Sequence, residues 1–282
     1  MAAPAAAEAT LAAADGTPLA VRDWPLAAGT ARGTVLLMHG LGEHSGRQAG
    51  IAGVFNQCGY HVRGYDHRGH GRSGGARGDV PHATALLDDA GIVLADLVRR
   101  HGDGRPPLLF GHSMGGLFAA RFACGGMAPL SGLILSSPAL ALPLSPLQKG
   151  LLKVLGTLAP GLAVANGLRT AWLAHDPAVE AAYLADPLVH GKISARLLQA
   201  MLEAGRFAQA HADRLAMPTL LLVAGDDHLV DAAGSRAFFG RLAPGVGTLH
   251  WYEHLYHEIF NEPDAARVQD DLRAWLAALP AG

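Results

Sequence analysis

The chain of 282 residues is half hydrophobic and 16% charged, so it can bury the core of one large α/β domain with an insertion. Its formal net charge of -2 argues against the strongly basic surface of a nucleic-acid-binding domain, and we expect no nucleic-acid partner. Cys58 and Cys124 have neither the number nor the spacing of a disulfide framework or a metal site, so we expect free buried thiols.

The N-terminal segment shows no targeting signal. Residues 1–10 are rich in alanine and contain neither a basic residue nor an apolar core segment, unlike a signal peptide. No run of about 18 apolar residues predicts a membrane span. These patterns predict a disordered segment over residues 1–9 and a cytoplasmic protein, unless processing has removed a leader.

Strand and helix patterns alternate through the first half of the chain. Two short strands at Thr10–Ala14 and Leu19–Trp24 flank Asp15-Gly16, a pair typical of a hairpin turn. The further predicted elements are strands over 33–39, 60–65 and 131–136, helices over 48–58 and 83–100, and a strand and helix around residue 113. Continuous apolar strands separated by helices predict a mostly parallel central sheet flanked by helices.

The alternation stops after Pro138. From there to about Gly205 the chain is apolar and helical in character and shows no buried-strand pattern. The alternation then resumes with strands over 218–224 and 247–252 and helices over 232–242 and 263–279. We therefore predict a core of residues 10–137 and 206–282, with a helical cap over 138–205.

A serine stands where a buried strand turns sharply into a helix. The segment from Leu108 to Gly116 begins apolar, passes through Gly111-His112-Ser113-Met114-Gly115, and enters a helix-forming run. This context makes Gly-x-Ser-x-Gly a nucleophile elbow, because small flanking residues let strand and helix pass closely beneath a strained serine. Ser113 is therefore the candidate nucleophile.

An activated serine requires a histidine base and a carboxylate that orients it. In folds with a nucleophile elbow, the carboxylate and then the histidine follow the serine in the chain. The first strand after the cap leads into Asp226 and Asp227, and the next leads into His254 and His257, at the same sheet edge as the serine. His250 lies inside its strand and is disfavoured. His257 is favoured as the base, with His254 as its rival.

The oxyanion of a tetrahedral intermediate requires backbone donors. One is expected from Met114, directly after the nucleophile, and the other from the loop that follows the strand over 33–39. Leu41 supplies that second N–H, and Gly40 and Gly42 let this backbone approach a substrate closely.

These residues together resemble a known family. The chain is similar to monoacylglycerol lipases and bacterial lysophospholipase-like serine hydrolases from about Asp15 onward. The segments that carry the resemblance are 36–47 (LLMHGLGEHSGR), 66–73 (DHRGHGRS), 111–116 (GHSMGG), 186–188 (DPL), 225–230 (GDDHLV) and 252–257 (YEHLYH). The resemblance implies the α/β-hydrolase fold and hydrolysis of single-chain lipid esters through an acyl-enzyme.

Matched residue by residue, the resemblance implies Ser113, Asp227 and His257 as a catalytic triad, which decides for Asp227 over Asp226. It implies Leu41 and Met114 as the oxyanion donors. Leu41 is bulkier than the small residue common in the lipases, although only its N–H is needed.

The resemblance also places Glu43 and Arg47 near the glycerol end of the substrate. The alternative interpretation is that these two charges pair with each other and brace the oxyanion loop.

The predicted cap contains a leucine-rich stripe. No acidic residue occurs between Pro138 and His175, whereas Lys149 and Lys153 lie among the leucines. Leu140 and Leu151 represent this stripe, which either packs the cap onto the core or lines an acyl tunnel as a substrate-binding surface. An apolar and cationic face also suits contact with an anionic membrane.

Fifteen histidines raise the question of a metal. His67 and His70 lie close together, but no His-Glu-x-x-His or similar ligand spacing accompanies them, so we expect no metal and no cofactor. Other functions compatible with the scaffold are a small-ester esterase, a peptidase that recognises an amine through Asp176, Glu180 or Asp186, and a non-catalytic ligand receptor.

Overall fold

The computed structural model describes residues 6–26, 31–142 and 144–280. Its main sheet has eight strands in the order β1-β2-β4-β3-β5-β6-β9-β10. The strands are β1 Ala7–Ala12, β2 Pro18–Trp24, β3 Gly33–Met38, β4 Tyr60–Tyr65, β5 Leu108–His112, β6 Gly132–Ser136, β9 Thr219–Ala224 and β10 Gly247–Tyr252. Among the described strands of this main sheet, β1 with β2 and β2 with β4 pair antiparallel and the other five pairs are parallel, so the predicted mostly parallel sheet is confirmed.

Helices connect these strands and cover both faces of the sheet. They are α1 Ala49–Gln57, α2 Ala85–His101, α3 Met114–Cys124, α4 Pro146–Leu158, α5 Pro177–Ala185, α6 Ala195–Ala210, α7 Ala233–Phe239 and α8 Ala265–Ala278. The predicted core helices lie within a few residues of these bounds, since helix ends are set by local capping that periodicity does not show. In the described part of the chain, no helix is both long and apolar enough to cross a bilayer.

Alternate side chains of each strand point to opposite faces of the sheet, so the core consists of two layers. In β3, Leu36 and Met38 join the cluster that includes Phe118 of α3, whereas Val35 and Leu37 join the cluster on the opposite face. Because successive side chains of a strand point to opposite faces, a continuous apolar strand is buried on both sides. The sheet therefore forms a rigid platform whose carboxyl edge carries the functional loops.

The predicted N-terminal disorder over residues 1–9 is wrong for residues 7–9. These residues belong to β1, which pairs with β2 to form the predicted hairpin. Glu8 binds Arg22 at 2.6 Å and Arg72 at 2.5 Å, so ion pairs as well as backbone hydrogen bonds hold this edge strand. Residues 1–5 lie outside the described residues.

The chain leaves the sheet after β6 and returns at β9, as predicted. The insertion contains α4, α5 and α6, but also two short antiparallel strands, β7 Ala163–Ala165 and β8 Lys192–Ser194, that we did not predict. Three-residue strands are too short to show an apolar alternation. Helix α6 passes through the predicted boundary at residue 205, and Leu197 and Met201 join the same core cluster as α3. The exact extent of the cap therefore stays a proposal.

Candidate active site

Ser113 lies at the junction of β5 and α3 with a strained backbone. Its φ of 54° and ψ of -120° fall in a region that residues other than glycine rarely adopt. A Cβ on Gly111 would overlap the carbonyl of Gly115, and a Cβ on Gly115 would overlap the carbonyl of Met38. The sequence motif therefore forms the sharp turn that raises the serine above the sheet.

Asp227 and His257 form a buried pair beside this turn. His257 Nδ1 lies 2.7 Å from Asp227 Oδ2, and their side chains are 4% and 1% exposed. Asp227 Oδ1 also accepts the N–H groups of Leu229 and Val230 at 2.9 and 3.1 Å, which fixes the carboxylate. Burial alone would lower the pKa of His257, but the charge and hydrogen bond of Asp227 raise it above its ordinary value.

The rival residues lie elsewhere. Asp226 is exposed and lies 3.2 Å from the ring of His228. His254 is exposed as well, and His250 contacts Asp271 at 3.3 Å. Their spacing along the chain does not distinguish these residues from Asp227 and His257. The geometry of the two loops does.

The loop after β3 is held so that one amide stays free. Gly40 N–H donates to Glu43 Oε1 at 2.6 Å, and His190 N–H donates to the carbonyl of Gly42 at 2.9 Å. The backbone amides of Leu41 and Met114 have no acceptor among the described residues, and both residues line the same cavity as Ser113 and His257. Two such amides can stabilise developing negative charge beside the serine.

Arg47 lies between two buried carboxylates. Its guanidinium contacts Glu43 at 2.9 Å and Glu258 at 2.7 and 2.9 Å, and it lies 4.7 Å from the ring centre of Tyr183. Burial raises the pKa of Glu43, while Arg47 outweighs burial at Glu258 and lowers the pKa of that carboxyl. The alternative in which Glu43 and Arg47 pair and brace the oxyanion loop agrees with these contacts, and both residues also line the cavity.

The cavity beside Ser113 has a polar and an apolar side. Glu43, Arg47, Glu258 and His112 line the polar side. The apolar side is formed by Ala139, Leu142, Leu168, Leu173, Met201, Leu229 and Val230. Its volume is about 70 Å³, residues of the insertion form part of its wall, and Ser113 itself is half-buried.

Neither of the two leucines predicted to bind substrate lines the cavity beside Ser113 in this structure. Leu140 is 4% exposed, packs in the core, and lines a different surface cavity together with Arg206 and Arg241. Leu151 is 52% exposed on the outer face of α4. A leucine-rich stripe shows that a segment is apolar, but only the packing of the cap decides which leucines face the cavity.

Sequence reasoning missed three polar residues of the site. Glu258, Tyr183 and His112 surround Arg47 or His257, and burial together with the nearby His257 lowers the pKa of His112 to about 3. Glu258 and His112 adjoin residues that the motifs identified. However, Glu258 contacts Arg47 across 211 positions, and His112 contacts His257 from a different strand end, so neither contact leaves a local pattern.

A metal centre is not formed by the described residues, since none of their His, Cys, Asp and Glu side chains gather in a group of three or more that could hold an ion. His39, His67 and His70 do cluster, with ring centres 4.3 to 6.2 Å apart, but as buried rings in tilted and edge-on contact. Burial lowers the pKa of all three, which keeps them neutral.

The eight-stranded sheet, the strained serine and the buried histidine–aspartate pair define an α/β-hydrolase. Residues 29–264 match the family model described as Hydrolase_4, serine aminopeptidase S33, and the chain belongs to this family.

Curated relatives and solved structures agree with this membership. The chain is 39% identical to a monoacylglycerol lipase of Mycolicibacterium smegmatis over 88% of this chain and 89% of the relative. It is 33% identical to the phospholipase YtpA of Bacillus subtilis, over 86% and 93% of the two chains. The crystal structure of the monoacylglycerol lipase of Paleococcus ferrophilus superposes with a TM-score of 0.82 at 33% identity, covering 98% of this chain and all of the other. The predicted family resemblance is thereby confirmed.

Proposed function

We propose that the protein hydrolyses carboxylic esters of single-chain lipids, such as monoacylglycerols or lysophospholipids, through an acyl-enzyme on Ser113. The observation that carries the proposal is the buried His257–Asp227 pair in the cavity of a strained serine. The relatives named monoacylglycerol lipase and phospholipase support the lipid substrate class.

In this mechanism His257 accepts the proton of Ser113 Oγ as the oxygen attacks the ester carbonyl. The carbonyl oxygen becomes an oxyanion that the amides of Leu41 and Met114 bind. The C–O bond to the alcohol then breaks, and the proton on His257 passes to the leaving oxygen. Water repeats the sequence on the acyl-enzyme and releases the fatty acid, while Asp227 keeps the imidazole in its tautomer.

The two sides of the cavity suit the two ends of such an ester. Arg47 and Glu43 stand on the polar side, where a hydroxyl or a charged head group can bind, and Leu142, Met201 and Val230 belong to the apolar side. The cavity volume of about 70 Å³ is small beside ligand pockets of about 300 Å³ or more. We propose that a long acyl chain binds with the insertion shifted outward.

The outer face of α4 supports a membrane contact. Leu147, Leu151, Val154 and Leu158 repeat at intervals of four, three and four residues and are 52% to 82% exposed, and no residue of α4 is buried. Lys149 and Lys153 on the same helix are exposed. We propose that α4 rests on an anionic lipid surface, from which substrate enters, and the cytoplasmic location stays a prediction.

A peptidase is the second candidate, because the matching family model carries an aminopeptidase description. Recognition of a substrate amine requires an available carboxylate. However, Asp176 caps α5, Glu180 accepts the hydroxyl of Thr170 at 2.5 Å, and Asp186 contacts His44 at 2.8 Å. These three acids are therefore engaged within the protein, which favours the esterase.

A hydrolysis panel tests the proposal. Purified protein is assayed with monoacylglycerols of increasing chain length, lysophospholipids, p-nitrophenyl acetate and aminoacyl amides. Each buried CH₂ is worth about 0.8 kcal/mol, so kcat/KM should rise with chain length until the apolar side is filled. A higher kcat/KM for p-nitrophenyl acetate than for every monoacylglycerol would replace the lipid substrate with a small ester, and preferred cleavage of amides would support the peptidase.

Vesicle sedimentation tests the membrane contact. Leu147→Ser and Leu158→Ser together should reduce binding to vesicles with anionic lipid and leave hydrolysis of p-nitrophenyl acetate unchanged. Arg273→Ser, on α8, serves as the control and should bind vesicles like the unchanged protein. Equal sedimentation of all three proteins would remove the membrane contact and leave the esterase standing.

A further inference from the structure

The insertion is bound directly to the loop that carries His257. The carbonyl of Leu173 accepts the N–H of Glu258, the residue after His257, at 2.7 Å. Two residues further along the insertion, the N–H of His175 donates to Glu262 Oε2 at 3.0 Å. The middle of the insertion and the loop after β10 are thus joined on one side of the histidine.

Glu262 extends this connection to the other side of the histidine. Its side chain is wholly buried, and Oε1 accepts the N–H of Tyr256 at 2.6 Å. His175 Nδ1 lies 2.9 Å from the same oxygen, and the His175 ring stacks on Tyr256 with 3.7 Å between ring centres. Tyr256 directly precedes His257, so this carboxylate holds the peptide that carries the imidazole.

We infer that Glu262 is a positioning residue for His257, one that fixes the backbone of the histidine and couples it to the insertion. The inference rests on the proposed function for its kinetic consequences. Asp227 holds the imidazole only through Nδ1 and does not bind its backbone. Glu262 supplies that second restraint, which matters because a displacement of about 1 Å can lower a rate by about 10².

Glu262→Gln tests the inference with little change of shape. Glutamine has one acceptor oxygen, so its NH₂ group must face the N–H of either Tyr256 or His175. We expect kcat for p-nitrophenyl butyrate to fall by about 10- to 100-fold with KM within about twofold. Fluorophosphonate labelling of the active serine, which also needs the base, should slow by a similar factor.

A second readout does not depend on turnover. Asp227 raises the pKa of His257, so a displaced imidazole that contacts Asp227 less well should titrate at lower pH. NMR titration of protein with ¹⁵N-labelled histidine measures this pKa in the original and variant chains. Glu262→Asp keeps the charge but is shorter by one CH₂, and it should lower kcat by a smaller factor. It replaces Glu262→Gln in these measurements if Glu262→Gln does not fold.

Asp79→Asn is the matched control. Asp79 also joins core to insertion, since it accepts the hydroxyl of Ser194 and the guanidinium of Arg196, both at 2.6 Å. The Asp79→Asn substitution should lower the melting temperature while kcat, the labelling rate and the pKa of His257 stay unchanged. The inference is overturned if Glu262→Gln behaves like Asp79→Asn. If the unchanged protein hydrolyses no ester, the proposed function fails, whereas the pKa of His257 still decides the inference.

Discussion

His257 and Asp227 are joined through Nδ1 and Oδ2 at 2.7 Å, and their side chains are only 4% and 1% exposed. A buried carboxylate in this position holds the neutral imidazole with its proton on Nδ1, which leaves Nε2 able to accept a proton. Asp227 therefore fixes the orientation of the His257 ring and raises its pKa.

Removal of the nucleophile or the base should abolish ester hydrolysis. Ser113→Ala and His257→Ala should each lower kcat by about 10⁴- to 10⁶-fold, because members of a triad act as a unit. Circular dichroism should show that both variants keep their fold. His254→Ala is the matched control on an exposed neighbour and should retain most activity. A dead His254→Ala with an active His257→Ala would reverse the assignment of the base.

The two adjacent aspartates should differ strongly. Asp227→Asn should lower kcat by about 10⁴-fold, because an amide stabilises the wrong tautomer of His257. Asp226→Asn changes an exposed carboxylate that contacts His228 and should cost far less. Steady-state kinetics on p-nitrophenyl butyrate compare the two variants. The opposite ranking would show that Asp226 orients the base.

The rate should depend on pH through His257. Burial would lower its pKa, but Asp227 and the nearby Glu258 and Glu43 raise it above the ordinary value of 6.5. Since only the neutral imidazole accepts a proton, kcat/KM should fall as the pH drops through this raised pKa. His112, the other imidazole in the cavity, has a pKa of about 3 and stays neutral throughout. A pH profile between 5 and 9 with its acid limb below 6.5 would contradict this prediction.

Loss of Arg47 should destabilise the fold. Arg47→Met leaves the buried carboxylates of Glu43 and Glu258 without their cation, which should lower the free energy of unfolding by about 3–5 kcal/mol. Arg273→Met removes a surface pair with Asp270 and should cost less than about 1 kcal/mol. Urea denaturation at neutral pH measures both. Equal losses would mean that the buried cluster contributes no more than a surface ion pair.

The amino-acid sequence by itself determined the fold and its family. Continuous apolar strands that alternate with helices specify a parallel sheet, because only strands buried on both faces need apolar residues at every position. The glycines around Ser113 specify the elbow because no other residue fits there. These are local constraints, so they remain visible in a linear pattern.

Tertiary structure alone decided which side chains meet. Asp226 and Asp227 are indistinguishable by local chemistry, and only the packing of two loops buries one and exposes the other. The contact of Arg47 with Glu258 spans 211 positions, so no spacing predicts it. Leu140 was assigned to the cavity by composition, yet the path of the insertion packs it into the core. Such choices depend on distances between segments that are remote in sequence, and those distances exist only once the chain has folded.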